Sequence, residues 1–319
     1  MWPEEAAERV EGMFQDIVKR ADHWDEIKNN VRNGNITGSG KGYTLLHAFV
    51  REGNADATKY LLDNAMEVNA KTNITHETAL HSAIQLQQVE MCILLLRYGA
   101  DVFSKDNAGI TPWELGISSD KMEILEILAE HTTTAGILFS VQAGRKSPFA
   151  IAIEKERNAA ALKLIERGVK IGAEKATWNE LLLLAAEKGD SVIQIVKRLL
   201  KMGANVDYKN ATGRTPLMAA SEKGALRVVR TLLEKSPDLE AADVSGYTAL
   251  SLASQEGYEG IVKRLLDAGA KVDGYPRERA PHLIASNPAV LALLRKKQPW
   301  KKTWFRQSLD PLSYAVMKG

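Results

Sequence analysis

The side chains in this 319-residue chain whose chemistry reaches beyond simple charge are six histidines and one cysteine. His23, His47, His76, His81, His131 and His282 are scattered along it. No pair of them stands at the short spacing of a zinc site with a third ligand nearby, and a single thiol rules out the usual cysteine clusters. Cys92 sits among Met91, Ile93 and Leu94, a setting that buries a thiol and leaves it protonated and inert. Gly38-Ser39-Gly40-Lys41-Gly42 invites a phosphate-loop reading but fails on detail. Asn35 stands where the first glycine is needed, and Gly42 replaces the metal-binding Ser or Thr after the lysine. No Gly-x-Ser-x-Gly elbow or paired-carboxylate signature occurs. The expectation is a chain without catalytic residues, bound metal or cofactor, taking no small-molecule substrate.

What organises the sequence is repetition. Gly213-Arg214-Thr215-Pro216-Leu217-Met218-Ala219-Ala220 opens a unit that begins again at Gly246-Tyr247-Thr248-Ala249-Leu250. Equivalent anchors fall at Thr44, Thr78, Thr111, Ser147, Glu180, Thr215 and Thr248, with a degenerate eighth at Ala280. Their spacings run 34, 33, 36, 33, 35, 33 and 32 residues. A fixed period in this range marks a protein built by stacking one small unit on the next. Each part of the unit has a job. The Thr or Ser caps the first helix by taking up orphan N–H groups, and a following Pro suits the first helical position. Paired small residues let helices pack closely, and glycines such as Gly99, Gly203 and Gly269 end the second helix in the left-handed conformation. Asn73, Asp106, Asn210 and Asp243, five before their anchors, favour a tight turn.

This pattern resembles the ankyrin repeat, with its Gly-x-Thr-Pro-Leu-His opening, two antiparallel helices and a hairpin loop. The resemblance covers about residues 40–297 and implies an all-α solenoid with short β-hairpin loops, about seven repeats between caps. Residues 1–39 are expected to form an N-terminal helical cap, 40–273 the repeats, and 274–319 a degenerate repeat with a basic, aromatic capping tail. Units four and five depart from the pattern. The link 130–145 is long and carries Ile137-Leu138-Phe139, while the fifth unit places Trp178 and Glu180 where Gly and Thr are expected. The expectation there is altered stacking without a domain boundary. In the same family, His47 and His81 occupy a slot that bridges loop backbone between repeats, and Asn69 matches the spacing favoured by asparaginyl hydroxylases.

Charge and composition narrow the setting. From Gly274 onward nine basic residues face two acidic ones, so this tail carries +7 and the remainder −5. The lone cysteine fits a reducing compartment, and no apolar run approaches the length that crosses a bilayer. An intracellular, cytoplasmic protein is expected, with delivery into a host cell as a bacterial effector the variant of that reading.

The resemblance implies a protein partner of unspecified identity, held in the groove formed by hairpin tips and first-helix ends. Those positions are one before the anchor and seven and eight after it; the candidate contacts are Tyr43, Glu77, Leu86, Ile110, Arg214 and Tyr247 there, together with Trp178 two before its anchor. Tyr43, Leu86 and Ile110 are the informative ones, because they place apolar or aromatic groups where a purely soluble surface prefers charge. The alternative class is a secreted bacterial effector or signalling adaptor. In that reading Lys296, Lys297, Lys301, Lys302 and Arg306, interleaved with Trp300, Trp304 and Phe305, contact an anionic membrane or nucleic acid through the tail alone.

Overall fold

A computed structural model describes residues 45–63, 66–131, 138–139, 146–272 and 280–297. The fold divides into two compact units between Ala173 and Glu174. Each is built from antiparallel helix pairs stacked on their neighbours. In the first, inner helices α1 (Leu45–Arg51), α3 (Ala79–Gln85), α5 (Pro112–Ser118) and α7 (Pro148–Glu154) alternate with outer helices. Those are α2 (Ala55–Asp63), α4 (Val89–Arg97), α6 (Met122–His131) and α8 (Asn158–Lys170). The second unit pairs α9 (Lys175–Lys188) with α10 (Ile193–Lys201), α11 (Pro216–Glu222) with α12 (Leu226–Leu233) and α13 (Ala249–Glu256) with α14 (Glu259–Asp267). Short α15 (Pro281–Ile284) and α16 (Pro288–Lys297) follow. The N-terminal cap expected over 1–39 and the end of the tail lie outside the described residues.

The most enclosed inner helices bury nearly everything they carry: α11 hides Pro216 to Ser221, and α13 hides Ala249 to Ser254. The outer helices bury one stripe, as in Val228, Val229 and Leu232 of α12, and leave the other face to water. Their starts and stops follow the sequence. The Oγ atoms of Thr111, Ser147, Thr215 and Thr248 accept from backbone N–H groups three residues on, at 3.2–3.3 Å. Gly99, Gly203 and Gly269 close the outer helices with φ of 83°, 85° and 103°. In each case the next N–H reaches back to a carbonyl in the last turn (Ala100 to Leu95, Ala204 to Leu199, Ala270 to Leu265).

The loops between pairs are one construction repeated. Asp106, Asn210 and Asp243 each accept, through Oδ1, from the N–H groups two and four residues on, at 2.8–3.0 Å. Asn73 does not play this part. There Thr72 takes over: its N–H donates to the Glu77 carbonyl at 2.9 Å, and its Oγ1 accepts from the Glu77 N–H at 3.1 Å. The added residue between Thr72 and its anchor leaves Asn73 exposed, with one isolated antiparallel bridge between Lys71 and Thr78.

The fifth unit is where the structure departs most from expectation. Glu180 does not cap a helix; α9 runs unbroken through it from Lys175, so that position lies mid-helix. With no hairpin loop ahead of it, the inner helix runs to 14 residues against 7 in α11, and the division between the two units falls just before it. In the long link, Leu138 and Phe139 are buried, and the Phe139 ring meets Phe149 edge-on with centroids 5.8 Å apart.

Candidate functional site

The face that the repeat grammar assigns to partners is built from the residue before each anchor and those seven and eight after it. In three repeats the first two of these are bonded to each other. Gln85 Nε2 donates to Glu77 Oε1 at 3.0 Å, Lys146 pairs with Glu154 at 2.7 Å, and Arg214 pairs with Glu222. The eight-residue step brings the end of the inner helix back over the base of its own loop, so a polar clasp closes each unit. A clasp of this kind is half exposed and contributes little to stability. Its effect is to fix where the loop stands. Lys155 and Arg157 extend the network by donating to the Oγ and carbonyl oxygen of Ser118, at 3.0 and 2.7 Å.

Beneath this surface, buried histidines tie one repeat to the next. His47 Nε2–H donates to the Glu77 carbonyl at 3.0 Å, and His81 Nε2–H donates to the Ile110 carbonyl at 3.2 Å. The His81 Nδ1 faces the N–H and hydroxyl of Thr78. Burial lowers the His47 pKa to about 4, against the opposing pull of the Glu77 carbonyl and carboxylate. His81 is lowered for the same first cause. Both rings are therefore neutral at ordinary pH, with the proton on the nitrogen that meets a carbonyl.

Exposed apolar groups supply what the clasps do not. Leu86, at the end of α3, is 46% exposed. Ile110 is half-buried at its loop base. Two further residues that sequence reasoning missed stand at the loop tips, Ile74 (60% exposed) and Val244 (77%), each four before its anchor. The sequence signal is an apolar side chain among turn residues, which marks the position but leaves its direction open. Val169 and Tyr258 are also exposed, on outer-helix positions.

Of the remaining candidates, Tyr247 is half-buried beside the Asp243 turn. Arg214 is half-buried in its clasp, and Glu187 nearby has its carboxyl pushed up by burial, opposed by Arg214 and reinforced by Glu222. Trp178 must be withdrawn as a partner contact. It is 5% exposed and forms part of the α9 core, because the early start of that helix turns this position inward. Tyr43, Lys301, Lys302 and Arg306 lie outside the described residues. Lys296 is exposed, and Lys297 forms a 3.5 Å ion pair with Asp267.

Chemically the face offers charges neutralised in pairs, neutral histidines locked by carbonyls, and apolar tips. Cys92 is buried and its thiol is pushed up to about 12 by burial. Asn69 spends its amide on the following repeat, donating to the Gly99 carbonyl and accepting from the Asp101 N–H at 2.7 Å.

Comparison with known proteins agrees with this geometry. The family described as ankyrin repeats (3 copies) matches residues 5–106 and 182–275, more than half of the chain. Human Rabankyrin-5 is 28% identical over 216 residues, covering 57% of this chain and 18% of that protein. The mouse B-cell lymphoma 3 protein homolog is 28% identical over 190 residues, covering 58% of this chain and 42% of that one. The chain thus spans less than half the length of these curated relatives. The crystal structure of the human ASB11 ankyrin repeat domain superposes with a TM-score of 0.51 at 25% identity, covering 73% of this chain and all of that one. Period, capping, loop turns, histidine bridges and these matches converge: the chain belongs to the ankyrin-repeat family.

Proposed function

We propose that this chain is a non-enzymatic interaction scaffold that holds a protein segment against the loop tips and inner-helix ends of its first unit. Ankyrin repeats mediate protein–protein interaction as a class. The observation that supports this location is Leu86, held 46% exposed at the mouth of α3. The Gln85–Glu77 clasp ties that helix end to the loop carrying Ile74, so two apolar side chains flank a polar rim. Apolar anchors ringed by polar groups mark interfaces, and a few of them carry most of the binding energy. In the second unit Val244 takes the place of Ile74 in one repeat, but the place of Leu86 is polar throughout, at Lys188, Lys223 and Glu256, so no such apolar pair forms.

The test is positional photo-crosslinking. A photoreactive residue is installed at position 86, at 74, or at exposed position 169 on outer helix α8. A discrete protein adduct is expected from 86 and 74 and not from 169. Leu86→Glu combined with Ile74→Glu should weaken capture of that same protein by about 30-fold or more, the scale of a lost hot spot. Equal adducts from all three positions, or capture indifferent to the double variant, would remove the first unit from the interface.

A further inference from the structure

The outer helices of the second unit carry an ordered row of unpaired cations. Helices α10, α12 and α14 pack side by side in that order. Their closing residues Gly203, Ser236 and Gly269 are 33 residues apart and all have positive φ, which fixes the register between repeats. Six residues before each of these stand Lys197, Arg230 and Lys263, all exposed. None of the three has an ion-pair or hydrogen-bond partner for its side chain among the described residues. Arg198, Lys201, Arg227 and Arg264 surround the row, and Glu259 and Asp267 are the acidic residues on the same helices. Asp267 is already engaged by Lys297. The fold does not impose this charge. Helices α2, α4 and α6 of the first unit carry Lys59 and Arg97 against Asp56, Asp63, Glu90, Glu123, Glu126 and Glu130. On α8 Lys163 is neutralised by Glu126 at 2.7 Å, while the side chain of Lys59 on α2 has no ion-pair partner among the described residues.

We infer that this row is a docking face for an anionic lipid bilayer, independent of the proposal made for the first unit. Packed helices stand about 8–10 Å apart, so the three cations form a ladder of that pitch on one exposed surface. A bilayer with acidic headgroups meets such a ladder without needing any register. A nucleic acid would call for more: α10, α12 and α14 carry no aromatic side chain on which a base could stack. The charge continues into α16, which ends in the exposed Arg295, Lys296 and Lys297. In sequence it is followed by Trp300, Trp304 and Phe305, residue types that favour the membrane interface.

The full chain should co-sediment with vesicles of phosphatidylcholine containing phosphatidylserine, less so as salt rises, and not with phosphatidylcholine alone. Each cation near an acidic leaflet is worth about fivefold in partitioning. The triple variant Lys197→Glu, Arg230→Glu, Lys263→Glu should therefore lose at least about 100-fold, with an unchanged circular dichroism spectrum. Lys197→Arg with Lys263→Arg should bind as wild type does. A second triple variant, Lys301→Ala, Lys302→Ala, Arg306→Ala, separates face from tail. The proposal is overturned if the charge-reversed face binds like wild type, if the tail variant alone abolishes binding, or if the wild type takes duplex DNA and leaves the vesicles.

Discussion

Acidification from pH 7 to pH 5 should loosen the first unit through a single buried ring. His47 is fully buried, and burial lowers its pKa to about 4 from the ordinary 6.5. The unfolded chain therefore binds the proton more readily than the folded one across this interval. Stability is fully present above pH 6.5 and falls as the pH drops toward 4. Linkage with these two values gives a loss of about 2 kcal/mol at pH 5, rising toward about 3 kcal/mol below pH 4. His81, shifted in the same direction, adds to it. Repeat arrays need not unfold in one step, so the readout should be local: hydrogen exchange, corrected for intrinsic rate, followed in peptides spanning α1 to α3. Peptides from α11 and α12 serve as the internal reference. His47→Gln keeps an N–H to offer the Glu77 carbonyl but does not titrate. Its α1–α3 peptides should lose about 2 kcal/mol less protection between pH 7 and 5 than those of the wild type. If variant and wild type lose protection equally, the buried neutral imidazole is not what makes this unit acid-sensitive.

Three further outcomes follow from particular contacts. Asp190 accepts from the N–H groups of Arg227 and Val228 at 3.1 and 2.9 Å, capping a helix in the next repeat. Asp190→Ala should cost about 1–2 kcal/mol in chemical denaturation, and Asp190→Asn less. Trp178→Ala should cost about 3–5 kcal/mol, as removal of a core aromatic does, while leaving the residual folded fraction with wild-type partner binding at saturating protein. Cys92, with its thiol pushed to about 12, should resist iodoacetamide at pH 8 in the native protein and react once urea is added; prompt native labelling would contradict its burial.

The parts of the fold that were legible in the sequence are those in which local chemistry decides the outcome. Thr215 caps α11 and Asp243 organises its loop because each needs only its own neighbours. The histidine bridges were legible for a different reason, since the slot they fill recurs with the repeat. What stayed hidden depends on where a helix begins. The start of α9 at Lys175 moves Trp178 from an expected loop into the core, and nothing within the Trp178-Asn179-Glu180 triplet announces this. Asn73 misled for a smaller reason: Thr72, one residue earlier, had a hydroxyl placed to do the same work. On the candidate face, Leu86 could be located by counting from its anchor. Ile74 and Val244 could not be ranked until their exposure was known, because an apolar residue in a turn can equally fold inward.

One set of bonds between repeats runs forward, from a side chain of one repeat to the backbone of the next. His47 reaches the Glu77 carbonyl, His81 the Ile110 carbonyl, Asn69 the backbone of Gly99 and Asp101, and Asp190 the amides that open α12. Asp207 likewise receives the N–H of Asp238, and Glu240 that of Lys271. In these the side chain belongs to the earlier repeat and the loop or helix-start backbone to the later one, while Lys121, Arg157 and Arg167 reach the other way, to helix-end carbonyls of the repeat before. A ribosome releases the earlier repeat first. Each newly emerged loop therefore meets a side chain already waiting to shape it, and the array is suited to being assembled from its amino end during synthesis. Cutting repeats from the carboxyl end strands those forward-reaching side chains and uncovers the helix-end carbonyls that Lys121, Arg157 and Arg167 meet. Cutting them from the amino end removes the template from the first loop that remains, so the two cuts strand different backbone groups: helix-end carbonyls in one case, loop and helix-start amides in the other.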